Sequence, residues 1–157
     1  MPDRSKREWP EFLVPFDGSW GAEKVLRSAC RAARGDGARL TVLCVVKLPP
    51  DDDSAWGDPD LDNTALLALT RAQQICHEEK VVAVFELSHA RNLAVAIVAE
   101  AQRSGAALIG LSLEEHELGE TALMSETVQH VLASAPCTVL LEDPAVALLP
   151  GTADQRA

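Results

Sequence analysis

A chain of 157 residues with 47% apolar residues and a mean hydropathy of +0.02 is long enough to bury the core of one domain and too apolar to be disordered. Its formal net charge of -10, with no local basic patch to overcome it, argues against nucleic acid and anionic lipid as partners. Only 4% of residues are aromatic, so the core must come from Val, Leu, Ile and Ala.

The chain opens on a charged head, "MPDRSKREWP" (1–10), which lacks the apolar segment of a secretory signal, and no apolar run is long enough to span a bilayer. A soluble, cytoplasmic protein is expected. Residues 11–17, 39–46, 81–87, 106–112 and 137–142 are short apolar runs and predict five strands. "LTVLCVV" and "CTVLLE" are nearly continuous, as strands covered on both faces should be. Between the strands, apolar residues recur at three- or four-residue spacing and predict four helices. Their stripes are Val25, Leu26, Ala29, Cys30 and Ala33, then Leu66, Leu69, Ala72 and Cys76, then Leu93, Ala94, Ile97, Val98 and Ala101, and finally Val128, Val131 and Leu132. "RGDG", "RSG" and "SAP" end the first, third and fourth helices.

Two segments break this rhythm. "KLPPDDDSAWGDPD", which contains the Asp51–Asp60 stretch, predicts a solvated loop with Trp56 tucked onto the domain, a lid or partner anchor being the alternative. The C-terminal residues 144–157 predict a tail in which "AVALL" could meet a partner. A single domain over residues 11–143 is therefore expected.

Strands alternating with helices imply an open, doubly wound α/β fold with a parallel sheet and right-handed crossovers. Ligands in such folds lie beyond the carboxyl ends of the strands, where the strand order reverses. Asp17, Gly18 and Ser19 sit at the carboxyl end of the first strand. Two roles are open to them: a turn with Ser19 capping the next helix, or contact with a ligand.

Other chemistry is poorly represented. Cys30, Cys44, Cys76 and Cys137 are scattered without zinc-ligand spacing and are expected to be reduced and mostly buried. His77, His89, His116 and His130 lie on different segments and are expected at the surface; His116, among glutamates, is the one placed to titrate near neutral pH. The glycine-rich dinucleotide and P-loop motifs and the nucleophile-elbow motif are absent. No catalytic residue and no metal set is identified, although the acidic segment after residue 113 could in principle gather a cation such as magnesium.

The stretches "FLVPFDGSWGAEKVLRSACRAA", "LTVLCVV", "AEAQRSGAALIGLS" and "TVQHVLASAPCTVLL" together resemble, in order and across nearly the whole chain, the universal stress protein family. The resemblance implies a five-stranded parallel sheet of order 3-2-1-4-5, of the adenine nucleotide alpha hydrolase-like type, with the fifth strand often pairing across a dimer axis. It thus implies a homodimer through Cys137, Val139 and Leu141, an expectation sharpened by the apolar edge that "CTVLLED" would otherwise leave bare. Many members bind ATP. By that likeness Asp17, preceded by Pro15 and followed by Ser19, matches the acid that contacts the adenosine half, and Val45 matches a position that lines the adenine. An aspartate accepts hydrogen bonds from ribose hydroxyls, and an aliphatic wall suits a purine face. The related ATP-dependent pyrophosphatase-type enzymes carry Ser-Gly-Gly-x-Asp-Ser after the first strand, where this chain has "PFDGSW".

The phosphate half departs from the family's pattern of Gly-x-x-Gly, nine residues, then Gly-Ser or Gly-Thr. Gly110 stands at the first position, Leu113 at the second, and Ser125 with Glu126 at the final pair, followed by Thr127; eleven residues separate Leu113 from Ser125. Gly119 is out of register. Glu114, Glu115, Glu117, Glu120 and Glu126 crowd the segment, and Lys and Arg are absent from residue 104 to residue 155. Like charges at ~4 Å cost about 1 kcal/mol in water and several times more near a protein surface. The expected function is a non-catalytic regulatory or stress-response module with ATP binding lost or altered; the alternative is a sensor for an adenine nucleotide such as ATP, AMP or a cyclic nucleotide.

Overall fold

The computed structural model describes residues 10–49, 58–113 and 125–142. The charged head, the C-terminal tail, Trp56 with most of its loop, and the segment holding Gly119 and His116 lie outside them. Nine elements alternate along the described chain. They are β1 (Glu11–Pro15), α1 (Trp20–Asp36), β2 (Arg39–Lys47), α2 (Pro59–Glu78), β3 (Ala83–Ala90), α3 (Leu93–Ser104), β4 (Leu108–Ser112), α4 (Glu126–Ser134) and β5 (Thr138–Glu142). The strands form one all-parallel sheet of order β3-β2-β1-β4-β5, as expected.

That order moves outward from β1 in both directions, so right-handed crossovers place the first two helices on one face and the last two on the other. The core divides accordingly. Phe12, Val14 and Phe16 with Leu40, Val42 and Cys44 meet the buried stripes of α1 and α2. Leu13, Leu43, Ile109 and Leu111 meet those of α3 and α4. Alternate residues of β1 thus enter opposite cores, which is why its sequence reads as a continuous apolar run.

Helix ends follow the punctuation of the sequence. α1 is capped by Ser19 and closes at Gly37, and α3 is capped by Asn92 and closes at Gly105. α2 starts from Asp58 with Pro59 in its first turn, and α4 starts from Ser125. Across the α1–α2 seam, Arg71 grips Glu23 with two bonds of 2.7 and 3.0 Å. That grip holds the Glu23 carboxyl below its usual range.

Three expectations need correction. The buried stripe of α2 is Ala65, Ala68, Ala72, Ile75 and Cys76, while Leu66 is half exposed. At Ala68 the small side chain lets α2 lie close against the turn after β1: a side chain added at Gly18 would sit 3.6 Å from the Ala68 methyl. Leu132 of α4 is likewise exposed, not buried. The third strand runs over Ala83–Ala90, not 81–87, because Lys80 turns with positive φ and the Val81 amide still bonds the Cys76 carbonyl of the helix end.

Candidate functional site

β1 and β4 are neighbours whose connecting helices leave in opposite directions, so a crevice opens at their carboxyl ends. It has a volume of about 390 Å³, within the range that small-molecule sites occupy. The turn after β1, the start of α1, the ends of β2 and β4, and the first turns of α3 and α4 line it. Seven of the expected site residues meet there: Pro15, Asp17, Ser19, Val45, Leu113, Ser125 and Thr127.

Each polar residue of that group is held by local geometry. β1 ends at Pro15, so Asp17 sits in the turn and not in the strand. One carboxylate oxygen of Asp17 accepts the Ser19 amide at 2.9 Å, and the Ser19 hydroxyl accepts the Ala22 amide at 3.2 Å. Gly18 between them has φ of +84°, a backbone state costly for any residue with a Cβ. The two readings of Asp17-Gly18-Ser19 are therefore compatible: the segment is a capped turn, and it faces the crevice. Across the crevice the Ser125 hydroxyl accepts the Val128 amide at 3.1 Å and caps α4.

Gly110 and Glu126 are not among the lining residues. Gly110 serves packing: a Cβ there would lie 3.0 Å from Val25 and 3.5 Å from Val14, so its bare backbone lets α1 settle on β4. Leu113 fills the second glycine position with an isobutyl group, and its amide already donates to the Glu142 carbonyl at 3.0 Å. That amide is not free for a phosphate.

Several lining residues are not among the site residues expected from the sequence: Phe16, Trp20, Leu43, Leu93, Ile97 and Leu111. Trp20 had a signal, as the first helical residue after the Ser19 cap. The Lys24 ammonium lies 4.5 Å from the centre of its ring, a cation–π contact. Among the described residues that line the crevice, Asp17 is the charged one, and no Lys or Arg is among them. Beneath it, burial raises the Cys44 thiol to about 11, and the Asp17 charge adds to the rise.

Outside the crevice, the Nε2 atom of His89 lies 2.8 Å from Asp62, so this histidine is half-buried between β3 and α2 and not simply at the surface. Among the described residues no group of three or more His, Cys, Asp or Glu side chains could hold a metal ion, and no helix is long and apolar enough to cross a membrane. Cys137, Val139 and Leu141 pack inward on the second core, leaving Thr138 and Leu140 as the exposed residues of edge strand β5.

The model of the universal stress protein family matches residues 9–141. No curated protein sequence matches the chain. Among solved structures, a universal stress protein from Archaeoglobus fulgidus is 21% identical with a TM-score of 0.71, covering 88% of this chain and 96% of its own. A structure of the Archaeoglobus fulgidus protein in complex with dAMP is 19% identical with a TM-score of 0.68, covering 85% and 96%. An Arabidopsis thaliana family protein with AMP bound is 14% identical with a TM-score of 0.63, covering 85% and 91%.

Proposed function

The chain belongs to the universal stress protein family, and from that premise we propose that it is a non-catalytic regulatory module whose crevice takes a nucleoside or nucleoside monophosphate and does not hold a triphosphate. The observation that carries this reading is the lining itself: a carboxylate and an apolar wall at one end, and no cation among the described residues at the other. Asp17 retains one carboxylate oxygen beyond its bond to Ser19, free to accept a ribose hydroxyl. Val45 and Leu93 supply aliphatic surface for a purine, and Trp20 supplies an aromatic wall.

The N-termini of α1 and α4 both reach the crevice and each contributes roughly half a unit of positive charge. That suits one phosphate. It does not balance three, given Leu113 in place of glycine and five glutamates between residues 114 and 126. The ligands bound by two of the structural relatives, dAMP and AMP, have the size the proposal asks for. Equilibrium dialysis checks the proposal: AMP or adenosine should bind saturably, with ATP at least tenfold weaker. ATP binding as tight as AMP, or neither nucleoside form binding at millimolar concentration, sinks it.

We also propose that the module acts as a homodimer through β5. Support comes from an edge strand carrying exposed Leu140, a surface prone to pairing if bare. Sedimentation equilibrium at micromolar concentration should give a dimer, and Leu140→Lys should give a monomer. A wild-type monomer at that concentration refutes this assignment.

A further inference from the structure

Two thiols that the sequence separates widely are in contact. Cys30, in the middle of α1, and Cys76, in the last turn of α2, place their sulfur atoms 3.9 Å apart, with Cys30 donating. Both are buried, at 0% and 2% exposure. A disulfide bond is roughly 2.05 Å long. Bond formation would require the two sulfur atoms to close the remaining gap between helices that already pack together.

We infer that Cys30 and Cys76 form a reversible disulfide that staples α1 to α2 when a peroxide reaches them. The Cys76 sulfur attacks one peroxide oxygen, the O–O bond breaks, and water leaves, giving a sulfenic acid. The Cys30 sulfur then attacks the Cys76 sulfur and displaces the hydroxyl as a second water. Two S–H bonds are lost and one S–S bond is formed, with the two electrons accepted by one molecule of hydrogen peroxide. A thiol reductant returns both electrons and both protons.

The order of attack follows from the pair's asymmetry. The hydrogen bond from Cys30 favours ionisation of Cys76, against the opposing effect of burial, while the donor Cys30 is pushed up. Access follows from position: α2 ends at Glu78, and a terminal turn opens more readily than the middle of a helix, so Cys76 is uncovered first. The bond would join residues 46 positions apart in sequence. Closing such a loop restricts the unfolded chain, so the oxidised form should melt roughly 5 °C or more above the reduced form.

The test uses the full chain in native buffer, treated with hydrogen peroxide, blocked with an alkylating agent and digested with trypsin without reductant. The tryptic peptides 28–31 and 72–80 should appear joined, two hydrogens lighter than their sum, and separate on reduction. Cys30→Ser and Cys76→Ser should each abolish the joined species, whereas Cys44→Ser should not. If either serine variant does not fold, the wild-type peptide map decides alone. Alkylatable Cys30 and Cys76 after peroxide, a sulfinic acid at Cys76, or a bond to Cys44 or Cys137 overturns the inference. So does a native map as mixed as that of the urea-unfolded chain.

Discussion

Leu13→Ala is expected to lower the unfolding free energy by roughly 2–5 kcal/mol. β1 is the central strand, in register with β2 through Leu13 and Thr41 and with β4 through Leu13 and Ile109. Leu13 has no exposed surface and projects into the core shared with α3 and α4, beside Leu43, Ile97 and Ile109. Removing its three outer carbons loses their transfer free energy, and hydrogen-bonded strands on both sides hinder collapse of the cavity. Urea denaturation followed by far-UV circular dichroism measures the loss. Leu67→Ala is the control, since Leu67 is 72% exposed and should change stability by no more than about 0.5 kcal/mol. A Leu13→Ala loss as small as that of the control would mean that β1 does not lie between the two cores.

The same contrast explains what could be read without coordinates. A strand buried on both faces must be apolar at nearly every position, so β1, β2 and β4 stand out in "FLV", "LTVLCVV" and "LIGL"; β5 is as apolar in "TVLL", yet as an edge strand it leaves Thr138 and Leu140 exposed. Glycine and serine marked the helix ends because capping geometry depends on local residues. α2 was misread at Leu66 because periodicity ranks residues by hydrophobicity, whereas close helix packing selects for size. Ala65, Ala68 and Ala72 face inward, and at Ala68 a leucine would be crowded against the Gly18 turn.

The crevice was legible only in part, for a related reason. Asp17 and Ser19 belong to one short turn whose chemistry is visible in "FDGS", and Val45 and Leu113 came from a family pattern. Phe16, Leu43, Ile97 and Leu111 are ordinary core residues that become a wall only because four separate segments converge. Glycine 110 looked like a phosphate ligand position, yet its lack of a side chain serves the approach of Val25. Cys30 and Cys76 illustrate the same limit: 46 positions apart, they share no motif, and only the packing of α1 on α2 brings them together.

Asp17→Asn is expected to weaken AMP or adenosine binding by roughly tenfold to a hundredfold while leaving the fold intact. This prediction rests on the proposed ligand class. A hydrogen bond to a charged group contributes roughly 1.5–3 kcal/mol, and 1.4 kcal/mol is a factor of ten in affinity. The choice of asparagine separates binding from architecture. Its side-chain oxygen can still accept the Ser19 amide, as the Asp17 carboxylate does at 2.9 Å, so the turn and the α1 cap survive. What is lost is the second acceptor oxygen, replaced by an amide nitrogen that can only donate and cannot take the proton of a ribose hydroxyl. Asp17→Ala removes both functions and should therefore weaken binding at least as much and lower stability by about 1 kcal/mol as well. Isothermal titration with AMP and urea denaturation on the same three proteins distinguish the outcomes. If Asp17→Asn binds as wild type while Asp17→Ala loses both affinity and stability, Asp17 acts only through the turn, and a ribose contact there is wrong.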